Sequence, residues 1–204
     1  MVTAFLHGFI LAGALILPLG PQNIFIFNQG ASHKKLRLAM PVVITAALCD
    51  TVLILMAVLG VSMIILAVPQ LQILFYTVGF LFLIYIGWSI WKSEAKSVEQ
   101  KGPINIKKQI IFALSVSLLN PHALLDTVGV IGINSVQYTT SLELSAFTIA
   151  CILVSWIAFF LLAVVGRVMK RIDKRGKAIN MINKLSALTI WAIALFIAMQ
   201  LFVA

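Results

Sequence analysis

The sequence predicts an all-α integral membrane protein in which six transmembrane helices form two three-helix repeats of inverted topology. Three observations carry that prediction. Of the 204 residues, 62% are hydrophobic and 10% are charged, with a mean hydropathy of +1.10. A single soluble core of this size could not hide so much apolar surface, so lipid has to act as the solvent. All 15 Lys and Arg residues fall into alternate gaps between the apolar stretches. Finally, the first span of each half of the chain is interrupted by proline.

The spans read as 3–28, 38–67, 71–91, 109–133, 142–167 and 181–203, each reaching the roughly 20 residues needed to cross a hydrocarbon core. The first lacks the basic start of a signal peptide and runs into Pro18-Leu19-Gly20-Pro21-Gln22-Asn23 instead of a small-residue cleavage site, so it is expected to be retained. Its Ala4, Gly8 and Ala12, like Ala194 and Ala198 in the last span, place small residues four apart. That spacing lets helices approach closely, chiefly within one chain, with a homodimer as the other use. Cys49 in the second span and Cys151 in the fifth show no CxxC or metal spacing and read as small, reduced packing residues.

The gaps set the orientation. Lys34, Lys35 and Arg37 lie in the first; Lys92, Lys96, Lys101, Lys107 and Lys108 in the third; and Arg167, Lys170, Arg171, Lys174, Arg175, Lys177 and Lys184 in or beside the fifth. The gaps near Pro69 and at 134–141 contain neither Lys nor Arg. Cationic loops remain in the cytoplasm, so both termini are predicted outside a bacterial plasma membrane. The net charge of +9 is thereby explained by loop asymmetry and attraction to anionic lipid, leaving no basic surface for nucleic acid. In the last basic gap, Arg167, Lys170, Arg171, Lys174 and Arg175 have helical spacing. They read either as a cationic stripe continuing the fifth span or as a plain topology determinant.

The chain is one membrane domain, 1–204, divided into repeat one (1–91), a cytoplasmic linker (92–108) and repeat two (109–204). Three spans per half is an odd number, so the halves must run in opposite directions. In such repeats, broken helices at corresponding positions mark a transport site. Leu19-Gly20-Pro21-Gln22 and Leu119-Asn120-Pro121-His122 are such breaks, offset by 100 residues. Proline inside a helix costs about 3 kcal/mol, and unpaired backbone in hydrocarbon costs more. Irregular backbone at this depth therefore has to line a protein-enclosed cavity, unless each break is only a packing kink.

Two acidic residues, Asp50 and Asp126, lie well inside spans, without a Lys or Arg at comparable depth. Asp50 is about 18 Å from the cytoplasmic start of its span, near the midplane, whereas Asp126 is about 27 Å from Lys108 and nearer the outer boundary. An ionisable group in this setting costs at least about 2.5 kcal/mol and is a functional candidate; the other reading is a structural Asp held by an amide or a helix end. A carboxylate without an internal cation takes up a proton or meets a cation from outside, such as a basic amino acid, a metal ion or a proton. His122 precedes Asp126 by one turn and Gly129 follows it, so His122 is either a proton-relay partner or a hydrogen-bonded structural residue.

Leu17-Pro18-Leu19-Gly20-Pro21-Gln22-Asn23 with Asn28-Gln29-Gly30, Cys49-Asp50, and Asn120-Pro121-His122-Ala123-Leu124-Leu125-Asp126-Thr127 resemble the motifs of the lysine/arginine exporters, the LysE/ArgO branch of the LysE superfamily. The resemblance covers essentially the whole chain. It is closer to that branch than to the homoserine/threonine exporters, whose shorter Pro-Gly-Pro motif is only partly shared; Leu124 departs from the Tyr that several members carry. The resemblance implies a proton-driven export permease for basic amino acids.

Under this reading Asp50 and Asp126 handle the cation or a proton. Helix ends at Gly20-Pro21 and Asn120-Pro121 offer backbone groups to the substrate, and Gln22, Asn23, Asn120 and His122 supply neutral hydrogen bonds or a relay. A neutral amino acid or a divalent metal is the alternative cargo, the latter because Asp50, Asp126 and His122 are oxygen and nitrogen ligands. No cofactor is implied. His7, His33 and His122 are scattered, and no phosphate loop or nucleophile arrangement points to an enzyme. A membrane scaffold would leave the two carboxylates and the two breaks unexplained.

Overall fold

The computed structural model describes residues 1–16, 20–33, 35–60, 69–92, 104–120, 126–173 and 176–203, and the regular elements among them are all helical. In chain order these are α1 (Val2–Ile16), α2 (Pro21–Ser32), α3 (Met40–Val58), α4 (Pro69–Trp91), α5 (Ile106–Leu118), α6 (Gly132–Ser135), α7 (Ser141–Ile172) and α8 (Lys177–Val203). A 3-10 turn (Leu36–Leu38) leads into α3 and a π-helical segment (Asp126–Ile131) into α6. Among the described residues α3, α7 and α8 are long and apolar enough to cross a membrane alone. The pair α1 and α2 makes a fourth candidate, bent by 78°. The third predicted span corresponds to α4, with a shorter apolar stretch Thr77–Trp91, and the fourth to α5, the π-helical segment and α6.

Local chemistry explains where several helices start and stop. Gly20 precedes α2 and Pro21 opens it, the position where a missing N–H costs nothing. Helix α3 ends at Val58, short of the predicted 67, because Gly60 takes a φ of 73°, a conformation open to glycine and closed to most residues. At the start of α7 Thr140 and Glu143 form a reciprocal cap, the Glu143 N–H donating to Thr140 Oγ1. Helix α7 then continues past 167 to Ile172, carrying Arg167, Lys170 and Arg171 as the helical continuation predicts. Lys174 and Arg175 lie outside the described residues. Helix α8 begins at Lys177, before the predicted 181, because the Asp173 carboxylate accepts from the N–H groups of Lys177 (3.0 Å) and Ile179 (2.9 Å).

Helix α7 is the spine of the bundle. On one half of it lies α1, whose Ala4, Gly8 and Ala12 are buried; a Cβ on Gly8 would come within 2.6 Å of the Phe147 carbonyl. The small-residue stripe of the first span is therefore used inside the chain. On the other half lies α2, crossing so closely that a Cβ on Gly30 would fall on the Ala163 carbonyl and one on Gly166 on the Phe27 carbonyl. Helix α3 makes the matching set of contacts, with α5 and with the π-helical segment, while α4 packs on α8 and α3 on α7. Cys49 and Cys151 are buried free thiols, as expected of packing residues.

The two ends of the bundle differ. At one, the terminal ammonium of Met1 approaches Glu143 at 3.5 Å, and His7 hydrogen-bonds Tyr138 at 2.7 Å. The start of the chain thus shares an end with the uncharged gap at 134–141. At the other end His33 and Leu38 meet Gln109, and Phe27 and Ala31 pack with Ile179, so the three basic gaps converge. Lys92 lies over the Trp88 ring at 4.7 Å and Lys184 over Trp91 at 5.6 Å.

Candidate functional site: a cavity at the break of the first span

Helix α1 ends at Ile16 and α2 begins at Pro21, and both ends open on a cavity of about 100 Å³, room for a few water molecules. Gly20, Pro21, Gln22 and Asn23 line it from the break, Asp50 from α3 and Asn120 from the second break. Six residues predicted from sequence thus meet around one space. Two dipole ends meet there as well, the positive start of α2 and the negative end of α1. Gly20 has no side chain with which to cap α2, which leaves the start of that helix available to an anionic group.

The Asp50 carboxylate is half-buried and held by neutral donors. Ser155 Oγ on α7 donates to Oδ2 at 3.0 Å, and Gln22 Nε2 reaches Oδ1 at 3.5 Å. No Lys or Arg lines the cavity among the described residues. Asn23 has a further task, because its Nδ2 donates to the Ile16 carbonyl at 2.7 Å. That bond satisfies one of the carbonyls orphaned at the end of α1 and ties the two halves of the broken span together. Asn120 is 5% exposed and stands where α5 stops.

Other predicted residues are placed less fully. Pro121 and His122 lie outside the described residues. The backbone of Asp126 opens the π-helical segment, whose i→i+5 winding alters the 3.6-residue spacing that would put Asp126 and Gly129 on one face. The next residue, Thr127, lines the cavity.

Sequence reasoning passed over Ser155, Thr127 and Thr189, which are all in the cavity wall. Hydroxyls in apolar helices commonly donate to a carbonyl four residues back, and Thr189 does so to Leu185 at 3.0 Å. Nothing local in the sequence separates Ser155 from such residues, since its partner is 105 residues away.

A proline-opened helix and a carboxylate, with no Lys or Arg beside it among the described residues, face one partly open cavity among helices able to cross a bilayer, an arrangement that fits a multi-pass membrane translocator. The family model described as LysE type translocator matches residues 13–201. The chain belongs to that family, and its work is transport, not enzymatic catalysis. It is 48% identical to the Bacillus subtilis (strain 168) protein named "Putative amino-acid transporter YisU", over 98% of this chain and 91% of that one. It is 34% identical to the arginine exporter protein ArgO of Serratia proteamaculans (strain 568), over 98% of both chains. With the protein of that name from Salmonella typhimurium it shares 32% identity over 98% of this chain and 95% of the relative. No solved structure matches.

Proposed function

We propose that the chain exports the basic amino acids arginine and lysine across the cytoplasmic membrane, coupled to protons, by alternating access around Asp50 and Asp126. The observation that carries the reading is the Asp50 carboxylate in a cavity at the uncapped start of α2, surrounded by neutral donors. A basic amino acid complements both ends of that arrangement. Its side-chain cation meets Asp50, and its carboxylate meets the N-terminal end of α2. The names of the ArgO relatives support the same substrate class. When no substrate is bound, a proton on Asp50 neutralises the charge, which is how export couples to the proton gradient. Asp126, from the second repeat, handles cation or proton in the same way, with His122 as its relay.

The six-span inverted repeat belongs to this proposal, supported by the pairing of helices. Exchanging the two halves of the chain turns α1 on α7 into α5 on α3, turns α2 on α7 into the π-helical segment on α3, and leaves α4 on α8 and α3 on α7 unchanged. Orientation follows from charge: the end where the basic gaps converge faces the cytoplasm and its anionic lipid, and both termini face outward. The chain works as a single copy surrounded by lipid or as a homodimer.

The test is efflux of preloaded radiolabelled arginine or lysine from proteoliposomes under an imposed pH step. Asp50→Asn and Asp126→Asn are expected to abolish efflux, with Glu99→Gln as a control close to wild type. Neutral amino acids and divalent metals are run in parallel. Efflux of those in place of the cationic amino acids, or normal arginine efflux in Asp50→Asn, would sink the proposal.

A further inference from the structure

Helices α3 and α7 cross at the cavity through two adjacent hydrogen bonds between side chains. Ser155 Oγ donates to Asp50 Oδ2 at 3.0 Å, and Trp156 Nε1 donates to Thr51 Oγ1 at 3.1 Å. The second bond joins groups outside the cavity wall, whereas both partners of the first line the cavity. Ser155 also differs from several other hydroxyls described in the bundle. Thr45, Thr51, Thr148 and Ser186 each donate to a carbonyl four residues back on their own helix. A hydroxyl has one proton, and Ser155, 1% exposed, directs its proton to another helix and to a carboxylate.

Resting on the reading that Asp50 binds the cationic group of the substrate, we infer that Ser155 is the positioning residue of that carboxylate. With Oδ2 held from α7, Oδ1 is the oxygen presented on the side of Gln22. A hydroxyl suits a carboxyl group that changes its protonation state. It donates to the carboxylate and can accept from the protonated acid, which an ammonium donor could not do. The contact therefore survives both forms of Asp50, and it links the second span of one half to the second span of the other at the residue that meets substrate.

The experiment compares Ser155→Ala, Ser155→Thr, Ser155→Cys and Trp156→Phe in the full chain, measuring arginine efflux from proteoliposomes against internal arginine concentration. Rates are normalised to folded protein. Losing a hydrogen bond to a charged group is expected to raise the half-saturating arginine concentration about five-fold or more in Ser155→Ala. Ser155→Thr, which keeps the hydroxyl, restores the wild-type value. Trp156→Phe, which removes the neighbouring bond between the same helices, leaves it unchanged. Should Ser155→Ala fail to fold, Ser155→Cys carries the test, as a weak donor of similar size whose half-saturating concentration is expected above that of wild type. An unchanged value in Ser155→Ala, or in Ser155→Cys where that variant replaces it, overturns the assignment, as does an equal rise in Trp156→Phe. Loss of efflux in Asp50→Asn together with normal saturation in Ser155→Ala removes Ser155 alone, whereas normal efflux in Asp50→Asn removes the functional reading beneath it.

Discussion

Among the described residues, two groups of polar side chains within this apolar bundle solve opposite problems. Around Asp50, side chains from α2, α3 and α7 surround a space, and among the described residues the carboxylate at its edge has neutral partners. At the end where the basic gaps converge, His33 and Gln109 are buried against each other and against backbone carbonyls. Gln109 Nε2 lies 3.1 Å from His33 Nε2 and reaches the carbonyls of Leu38 at 3.2 Å and Ile104 at 3.0 Å, while His33 Nδ1 lies 3.0 Å from the Gln29 carbonyl. The Leu38 and Ile104 carbonyls lie at a helix end and in a connecting segment, where backbone groups need partners from side chains, and the buried amide supplies one. The difference teaches that burial of polar groups does not mark a site in a membrane protein. Empty space beside an incompletely matched charge does.

Three variants break or sharpen that comparison. The largest effect is expected from Gly20→Ala combined with Pro21→Ala. A regular helix through the break would withdraw the free start of α2 from the cavity, so efflux should fall at least about ten-fold while membrane insertion stays normal. Full efflux from a well-inserted double mutant would reduce the break to a kink.

Gln109→Leu acts on the second cluster. It leaves the Leu38 and Ile104 carbonyls without their donor, which should destabilise the fold by about 1–3 kcal/mol, read as a lower melting temperature in detergent. The half-saturating arginine concentration of the surviving protein should be unchanged. A large rise in it would mean that the two clusters are one functional unit.

The smallest effect belongs to Thr189→Val. Its hydroxyl is in the cavity wall but already donates to the Leu185 carbonyl, so efflux is expected within about two-fold of wild type, in line with the modest worth of a neutral hydrogen bond. A ten-fold loss would show that Thr189 turns from its own helix to the substrate.

Much of this molecule is written in short-range patterns. Apolar runs of membrane length, the confinement of Lys and Arg to alternate gaps, and Gly20-Pro21 and Asn120-Pro121 as breaks are properties of segments, and a segment meets lipid whatever its neighbours do. The depth of Asp50 follows from counting residues along one helix. Helix ends were less legible. The stop of α3 at Gly60 and the early start of α8 on Asp173 depend on single residues within apolar or basic runs that read as continuous.

What the sequence by itself determined was therefore the apolar, helical membrane class of the chain, the break between α1 and α2, and the presence of Asp50 with no Lys or Arg near it in sequence. Only the tertiary structure decided which neutral groups surround that carboxylate. Ser155 reaches Asp50 and Gln109 reaches the Leu38 carbonyl because helices far apart in the chain are packed together, as α2 and α7 are where Gly30 and Gly166 permit backbone contact. The physical reason is range. Hydropathy and charge act between a residue and its medium, whereas a hydrogen bond is made only between atoms that packing has brought to within about 3 Å.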